Sequence, residues 1–449
     1  MDILTEKKNA KVYFIGIGGV NMSALAAFLT IKGFKVYGSD KTFNVYCERL
    51  RNMGATIFQG HNKKNVSGNA DIVIINSAID DSNEELKFAI ENKLPVISRA
   101  QLLKTVGCLY KTRIGISGSH GKTTVTALIA HVLFEANAKF TAFIGGNDKK
   151  FDNFVLNGYD ILLSEVCEFR KNIDSFDPDV AVTLNVDNDH LDSYESFSDL
   201  ARTFFRFLDK GSVSIINADD RILQKAPKNC VTFAINADAD YKAVNVKTAS
   251  TTTFTVTENG KKLINVKTKL RGRHNVYNVL AAVAVARSLK IDKKVILNAI
   301  KNFDGVARRN EFIGYFNGAK CFSDYAHHPK EILSLIKSID LTDKKGDLYF
   351  VFQPHTYSRT KILFNQFIEV LSPLKRLIIY KTYAAREVFD ENYCSKALSG
   401  ALAGSVYFDE FDDIMKYLSE RVKKDDLIYF VGAGDIDDLV KSYVKKTFG

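Results

Sequence analysis

A chain of 449 residues is long enough for roughly two to four domains. Its hydrophobic share of 46% and charged share of 25% are typical of a soluble globular protein with several apolar cores. The net charge of +10 favours anionic ligands, but no dense basic block interleaved with aromatic residues is present, so nucleic-acid binding is not expected.

The first segment alternates strands and helices, which predicts a parallel sheet. The strand K-V-Y-F-I-G-I leads through G-I-G-G-V-N-M-S into an apolar helix, and the next strand ends at Asp40. Gly16, Gly18 and Gly19 suit a nucleotide-binding turn with an anion at the helix N-terminus, although Asn21 replaces the third glycine of that motif. Asp40 either accepts a hydrogen bond from a ribose hydroxyl or is an ordinary turn residue.

The second segment begins near residue 107 with the most specific motif of the chain, I-G-I-S-G-S-H-G-K-T-T. An apolar strand, a glycine turn, Lys-Thr and an amphipathic helix together predict a phosphate-binding loop, in which backbone N–H groups and a lysine face the anion. The hydroxyl of Thr123 would bind Mg²⁺. The alternative is a plain strand-to-helix turn. The predicted loop residues are Gly118, Ser119, His120, Gly121, Lys122, Thr123 and Thr124.

Polar side chains follow other apolar strands of this segment. Glu165 ends I-L-L-S-E and suits a Mg²⁺ ligand, with an ordinary surface acid as the alternative. Asp189 and His190 end N-V-D-N-D-H and suit a metal or acyl-phosphate contact, or a structural role. A Thr/Val-rich stretch between about 230 and 270 predicts antiparallel hairpins, and Asn275 either contacts adenine or caps the helix that follows.

The third segment begins near residue 305 and predicts another doubly wound unit. Arg308 and Arg309 stand at the junction, where a guanidinium could hold a transferring phosphoryl group or be a solvated charge. Two dense clusters follow on strand tips, D-Y-A-H-H-P-K-E at 324–331 and F-Q-P-H-T-Y-S-R-T at 352–360. Together these groups predict chemistry on a nucleoside triphosphate between domains.

These motifs, in this order, resemble those of the ATP-dependent Mur ligases of bacterial peptidoglycan synthesis, and the last two clusters resemble the alanine-adding branch and its peptide-recycling relative. The resemblance implies a three-domain α/β fold. The expected parts are a Rossmann-like UDP-sugar-binding domain over 1–106, a central P-loop ATPase domain with accessory antiparallel strands over 107–304, and a Rossmann-like C-terminal domain over 305–449.

The resemblance implies that ATP phosphorylates the carboxylate of UDP-N-acetylmuramate and that the amine of L-alanine then displaces phosphate from the acyl phosphate, with Mg²⁺ required. A carboxylate is a poor acceptor for amines, and phosphorylation supplies a leaving group. Attack of one anion on another needs the cationic screening that Mg²⁺, Lys122 and Arg309 would provide. The alternative function is ligation of a recycled tripeptide to the same muramate.

Carried over position by position, the resemblance assigns roles to individual residues. The catalytic set would be Lys122, His190, Arg309, His328 and Arg359, with Tyr325 as a further candidate for positioning the amino acid. Metal ligands would be Thr123, Glu165 and His190. Besides the phosphate loop, nucleotide contacts would come from Gly16, Gly18, Gly19, Ser23, Asp40, Ser77, Asn275 and Asp324.

Three positions depart from the family pattern. Thr356 stands where many alanine-adding enzymes have Arg, which leaves Arg359 as the expected carboxylate clamp. V-C-E-F-R-K-N follows Glu165 in place of an acid-rich stretch, which leaves the role of Glu168 open. Arg202 lies where several relatives carry a carbamylated lysine, and arginine does not form that adduct.

Two other function classes are weaker. A nicotinamide-dependent oxidoreductase would explain Gly16, Gly18 and Asp40 but neither the phosphate loop nor the third-segment clusters. A non-catalytic nucleotide sensor would not need the set Lys122, Glu165 and His190. The six scattered cysteines and the absence of an apolar leader or a run of about 18 apolar residues predict a cytoplasmic protein without membrane contact. We expect a monomer or a weak homodimer.

Overall fold

The computed structural model describes residues 10–187, 194–226, 229–248, 251–339, 346–385 and 387–448. These residues divide into two compact units. The first comprises residues up to 246 with 253–268 and 275–304, and the second comprises 247–252, 269–274 and the chain from 305 onward. Two sheets lie in the first unit and one in the second.

The first sheet is parallel throughout, with strand order β3-β2-β1-β4-β5. Val12 and Phe14 of its central strand face one apolar cluster, whereas Tyr13 and Ile15 face another, so helices cover both faces. Strand order reverses beside β1, which places a ligand crevice at its carboxyl end. The elements are β1 (Lys11–Ile15), α1 (Val20–Ile31), β2 (Lys35–Asp40), α2 (Val45–Asn52), β3 (Thr56–Gln59), α3 (Lys63–Val66), β4 (Ile72–Ile75), α4 (Glu84–Glu91), β5 (Val96–Ser98) and α5 (Arg99–Gly107).

The second sheet has strand order β15-β14-β13-β12-β11-β10-β6-β9-β7-β8. Strand β6 lies between β10 and β9 and runs parallel to both, so the segment after β6 emerges at the carboxyl edge of the sheet. The elements are β6 (Thr112–Ser117), α6 (Lys122–Glu135), β7 (Phe140–Asp148), β8 (Asp152–Leu156), β9 (Ile161–Glu165), β10 (Val180–Thr183), α7 (Phe197–Lys210), β11 (Val213–Asn217), β12 (Val231–Ala234), β13 (Tyr241–Thr248), β14 (Thr252–Glu258), β15 (Lys261–Thr268), α8 (Arg273–Ser288) and α9 (Lys293–Asn302).

The Thr/Val-rich stretch forms strands that extend the main sheet. Strands β14 and β15 form the expected antiparallel hairpin, since only Asn259 and Gly260 connect them, with φ of 49° and 76°. Strand β12, however, pairs with β13 in parallel, through Phe233 opposite Tyr241. The expectation of antiparallel pairing throughout 230–270 therefore fails at that pair, because alternation of apolar residues does not encode strand direction.

The second unit contains a sheet of order β16-β17-β21-β18-β19-β20, in which only the β16–β17 pair is antiparallel. Neighbouring residues of β17 face different clusters, Cys321 on one side and Phe322 on the other. The elements are β16 (Glu311–Phe316), β17 (Ala319–Asp324), α10 (Pro329–Ser338), β18 (Leu348–Phe352), α11 (Tyr357–Ile362), α12 (Phe364–Leu371), β19 (Leu377–Tyr380), α13 (Ser395–Gly400), β20 (Val406–Phe408), α14 (Phe411–Arg421), β21 (Leu427–Val431) and α15 (Ile436–Phe448).

The expected α/β class, with doubly wound sheets and a central phosphate-loop sheet, is confirmed. The domain boundaries at 106/107 and 304/305 stay predictions. In the part of the chain that the structure describes, no helix combines the length and apolar composition needed to cross a bilayer.

Candidate functional site

The phosphate loop lies between β6 and α6, as the motif predicts. Gly118 and Gly121 adopt φ of 130° and 88°, a region that residues with a side chain rarely enter. A Cβ on Gly121 would also come within 2.6 Å of Oδ1 of Asn278. Asn185 holds the loop from the next strand tip, because its Oδ1 accepts from the His120 N–H at 2.8 Å and its Nδ2 donates to the His120 carbonyl at 3.0 Å.

Lys122 is held over this loop by an ion pair. Its Nζ donates to the backbone carbonyl of Gly118 and lies 3.2 Å from Oε2 of Glu168, whose side chain is fully buried. The backbone carbonyl of Glu168 in turn accepts from the hydroxyl of Tyr194. The role that the sequence left open for Glu168 is therefore electrostatic: its carboxylate pairs with the phosphate-loop lysine.

Two of the three predicted metal ligands meet in the structure. The hydroxyl of Thr123 donates to Oε2 of Glu165 at 3.0 Å, so two oxygen ligands from different elements lie side by side. Mg²⁺ prefers oxygen ligands, so this donor set fits the predicted ion. An ideal Cβ at Gly145 would lie 1.1 Å from Oε1 of Glu165, which shows that the carboxylate occupies space that this glycine leaves open. Asp189 and His190, also predicted here, lie outside the described residues.

The predicted adenine contact lies beside the same loop. Oδ1 of Asn275 accepts from Nδ2 of Asn278 at 2.9 Å, and Asn278 packs against Gly121. Tyr277 on the same helix donates to Asp219 at the tip of β11, at 2.8 Å. This hydrogen bond fixes helix α8 against the carboxyl end of β11, on the side where Asn275 is predicted to contact adenine. Ser119 and Thr124 are buried within the same loop.

The glycine loop of the first sheet is held by hydrogen bonds to the ends of β2. The N–H groups of Gly16 and Ile17 donate to the carbonyl of Ser39, at 2.8 and 3.0 Å. Asp40 accepts from the Gly18 N–H at 2.9 Å through Oδ2. The structure therefore gives Asp40 the turn role that was one of its two predicted readings, and a ribose contact through its remaining lone pairs stays a prediction.

The remaining residues predicted for this nucleotide site are partly engaged inside the protein. Ser23 is fully buried, and its hydroxyl donates to the Val20 carbonyl at 2.9 Å. The hydroxyl of Ser77 accepts from Nδ2 of Asn172 at 3.0 Å. Gly19 is the N-cap of α1, directly before its first turn.

In the second unit, Asp324 ends β17 and accepts two backbone bonds, from Asn310 at 2.7 Å and Ala326 at 2.8 Å. Burial raises the pKa of Asp324 to about 6, against the opposing charge of Arg309 and these two N–H groups. The side chain of Arg309 lies 5.2 Å from the ring centroid of Tyr325. Asp324 therefore supports the 308–310 loop, and its predicted ribose contact stays a prediction.

Arg308 and Arg309 differ in their surroundings. The guanidinium of Arg308 donates to the carbonyls of Gly432 and Gly434, at 2.8 and 2.9 Å, so it is committed to the fold. Its backbone adopts φ of 58°, and its N–H donates to Glu311 at 2.9 Å. Of the pair, Arg309 is therefore the better candidate for a ligand contact.

The two neighbouring histidines of the D-Y-A-H-H-P motif have different roles. His328 is 2% exposed and caps α10: its ring accepts from the Lys330 N–H at 3.3 Å, and Glu331 accepts from the His328 N–H. The ring of His327 instead lies 5.3 Å from Tyr325 and 5.9 Å from His355, between ring centroids. His328 thus has a capping role, and the catalytic role predicted for it stays a prediction. His327, whose Nδ1 lies 3.0 Å from the Tyr325 carbonyl oxygen, is a further candidate for a substrate contact that the sequence did not single out.

His355 and Arg359 form the second half of this cluster. Arg359 lies 3.2 Å from Nδ1 of His355 through Nη1, which fits donation to a neutral imidazole. Burial, reinforced by His327, Arg359 and Arg308, lowers the pKa of His355 to about 3. Burial and then the charge of Arg309 lower the pKa of His274 to about 4 in the same unit.

Thr356, the departure from the family pattern, has strained backbone geometry. Its φ is 67°, which is rare for a β-branched residue. Its N–H donates to the Tyr383 carbonyl at 2.9 Å, and its carbonyl accepts from the Thr360 hydroxyl at 2.8 Å. Such strain is concentrated at functional sites, where surrounding contacts impose it.

Comparison with known proteins covers nearly the whole chain. Family models for the Mur ligase family catalytic domain, the Mur ligase middle domain and the Mur ligase glutamate ligase domain match residues 11–110, 116–286 and 308–434. A UDP-N-acetylmuramate–L-alanine ligase of Clostridium acetobutylicum is 37% identical, over 97% of this chain and 98% of the relative.

Two solved structures share the arrangement of elements. The UDP-N-acetylmuramate-alanine ligase of Thermotoga maritima aligns with a TM-score of 0.86 and 26% identity, over 98% of this chain and 99% of that one. A murein peptide ligase of Psychrobacter arcticus aligns with a TM-score of 0.75 and 22% identity, over 98% and 99% of the two chains. From the three family models and the near full-length relative, the chain belongs to the Mur ligase family.

Proposed function

We propose that the protein joins L-alanine to UDP-N-acetylmuramate at the expense of ATP, giving UDP-N-acetylmuramoyl-L-alanine, ADP and phosphate in peptidoglycan synthesis. The observation that carries the proposal is the group formed by Lys122, Thr123 and Glu165 at the carboxyl edge of the second sheet. A relative named UDP-N-acetylmuramate–L-alanine ligase, 37% identical over 98% of its own length, supports the choice of substrates.

The chemistry follows from what these residues can hold. The muramate carboxylate attacks the γ-phosphorus of ATP, ADP leaves, and the amine of alanine then attacks the acyl carbon and expels phosphate. Lys122 supplies positive charge beside the transferring group, and the phosphate loop supplies backbone donors. Thr123 and Glu165 would hold Mg²⁺, which when bound neutralises phosphate charge. Alignment of the reacting groups contributes ~7–11 kcal/mol in favourable cases.

The amino acid is assigned to the cluster of the second unit. Arg359 carries a permanent charge for a carboxylate, and the neutral imidazole of His355 beside it adds no competing charge. Tyr325 and His327 complete one side of that cluster. The proposed specificity for a small amino acid, and the placing of His190, Arg309 and Asn275 in the reaction, rest on the family resemblance.

We also propose that the enzyme acts in the cytoplasm as a monomer or weak homodimer, without nucleic acid or membrane as a partner. All six cysteines are unpaired thiols, as expected in a reducing compartment.

The direct test is phosphate release from ATP, with UDP-N-acetylmuramate present, against a panel of amino acids and the tripeptide L-alanyl-γ-D-glutamyl-meso-diaminopimelate. We expect turnover with L-alanine and at least about tenfold lower kcat/KM with the tripeptide. Turnover with the tripeptide alone would assign the protein to peptide recycling instead. Release of phosphate that ignores both acceptors would contradict an amide ligase.

A further inference from the structure

Asn153 is a buried amide that connects the second sheet to the helices around the glycine loop of the first. Its Nδ2 donates to the Val20 carbonyl at 2.5 Å and to the Ser23 hydroxyl at 2.9 Å. Its Oδ1 accepts from Nη2 of Arg49 at 2.5 Å, and the residue is fully buried. Both N–H donors of the amide and its oxygen are thus hydrogen-bonded to residues of helices α1 and α2.

The partners of Asn153 stand at the two elements that frame the glycine loop. Val20 and Ser23 form the first turn of α1, which begins directly after Gly19. Arg49 belongs to α2, whose N-cap Asn44 donates to the carbonyl of Gly18 at 3.0 Å. A second hydrogen bond connects the second sheet to α2: the hydroxyl of Tyr46 on α2 donates to Oδ1 of Asn147 at 2.8 Å. We call it the second link.

The β7–β8 hairpin (Phe140–Leu156), which carries both asparagines, touches the phosphate site at another point. Strand β7 pairs with β9, and Gly145 of β7 packs directly against the carboxylate of Glu165. The β7–β8 register is irregular between Phe143 and Asp148, which is the stretch that contains Gly145 and Asn147. One hairpin therefore contacts Glu165 with one strand and the glycine-loop helices with residues of both strands.

Aromatic packing stiffens the connection. The rings of Phe143 and Phe154 stack at 5.5 Å between centroids, and Phe28 of α1 meets Phe143 edge-on at 6.0 Å. These ring contacts hold the hairpin against α1 but carry no hydrogen bond. The amide of Asn153 is directional and sets the register of α1 against the hairpin, because its hydrogen bonds hold only at one position.

We propose that Asn153 is a positioning residue for the ligation: through the β7–β8 hairpin it sets the distance between the nucleotide loop at Gly16–Gly19 and the phosphate site at Glu165. The inference rests on the proposed function. A muramate carboxylate whose uridine nucleotide is held at the first loop must reach a γ-phosphate held beside Glu165. Misplacement by about 1 Å costs on the order of 10²-fold in rate. Asn153 acts through the helices it holds and is assigned no substrate contact.

The test compares Asn153→Ala with Asn157→Ala, a control at the residue that directly follows β8, whose exposed amide donates at 2.9 Å to the carbonyl of Ala138. Kinetics at saturating substrates are measured together with equilibrium binding of UDP-N-acetylmuramate alone and of ADP alone. For Asn153→Ala we expect kcat to fall about 10- to 100-fold, with both dissociation constants within about threefold of wild type. Asn157→Ala should retain wild-type kcat.

Two further variants keep the test decisive if Asn153→Ala does not fold. Asn153→Asp keeps the acceptor for Arg49 but loses both donations to α1, and Tyr46→Phe removes only the second link. Each should lower kcat with little change in binding, Tyr46→Phe by a few-fold. Unchanged kcat in a folded Asn153 variant, or an equal loss in Asn157→Ala, overturns the proposal. If the wild-type protein itself releases no phosphate with L-alanine, it is the proposed function that fails.

Discussion

Gly145 is required at the phosphate site because it has no side chain. The carboxylate of Glu165 fills the space that a Cβ would take, and Glu165 is thereby held against Thr123. Gly145 is thus needed because it leaves space for the carboxylate. Gly121 differs, because it leaves space and in addition has a left-handed backbone conformation.

We predict that Gly145→Ala disables the phosphate site. A Cβ at residue 145 would lie 1.1 Å from Oε1 of Glu165. Two atoms cannot occupy the same space, so the carboxylate must move away from Thr123. We expect kcat/KM for ATP to fall by about 10²-fold or more, and a higher Mg²⁺ concentration to be required, in steady-state assays. Gly400→Ala, at a glycine with nothing near its Cβ, is the control and should behave as wild type.

We predict that Lys122→Ala abolishes ligation while UDP-N-acetylmuramate still binds. Loss of the only phosphate-loop lysine removes charge stabilisation of about 10²–10³-fold in rate, and the separate glycine loop is untouched. Thermal-shift titration should show a rise in Tm with UDP-N-acetylmuramate but none with ATP.

The same variant leaves the buried carboxylate of Glu168 without its cation, which is destabilising by itself. The double variant Lys122→Ala/Glu168→Gln separates the two effects. It should recover Tm without recovering turnover. Residual ligation by Lys122→Ala near the wild-type rate would show that the loop was assigned wrongly.

At the scale of elements, the first turn of α10 contains residue types that suit both a helix cap and a catalytic site. The capping pattern His328-Pro329-Lys330-Glu331 reads equally well as a cluster of catalytic groups. The structure shows the cap directly, since His328 is buried and its ring accepts from the Lys330 N–H, whereas the ring centroid of His327 lies 5.9 Å from that of His355.

We predict opposite outcomes for the two histidines. His328→Ala should lower the free energy of unfolding by about 1 kcal/mol through loss of the cap, and His328→Asn should restore most of it. His327→Ala should leave stability nearly unchanged and raise KM for L-alanine. Urea unfolding and amino-acid kinetics on the same preparations check both. A His328→Ala protein with full stability and no activity would restore His328 to the catalytic set.

At this scale, the sequence predicts where the elements lie better than it predicts which elements and residues pair. The glycine turns, the phosphate loop and the strand-tip clusters could be read because each needs particular residue types at fixed spacing. The parallel pairing of β12 with β13 and the ion pair of Lys122 with Glu168 could not, because both join segments that are distant in sequence.

For the whole molecule, burial of ionisable groups in the second unit makes the free energy of unfolding depend on pH. The pKa of His355 is lowered to about 3 and that of His274 to about 4, so the unfolded chain binds their protons first as pH falls. Their contribution to stability is complete above pH 6.5 and is lost as the pH drops toward these values. Asp324, with its pKa raised to about 6, acts in the opposite sense: its contribution is complete below its ordinary pKa of 3.8 and is lost as the pH rises through 6.

We predict that the two buried histidines make the protein easier to unfold at pH 4.5 than at pH 7, with Asp324 offsetting part of the loss. His355→Gln cannot take up a proton and should show a smaller drop in the urea midpoint between these two pH values. Asp324→Asn should show a larger drop, because the offset is gone. Equal drops in wild type and His355→Gln would contradict the assignment.

The sequence by itself determined the α/β class, the phosphate loop and the family, because those depend on residue types at short spacing along the chain. Tertiary structure decided which candidates come together: Thr123 with Glu165, and Lys122 with Glu168. It also placed His328 at the start of α10 as its cap, bound Arg308 to the carbonyls of Gly432 and Gly434, and packed Gly145 against Glu165. Burial and long-range contact are properties of the folded chain, so no local pattern carries them.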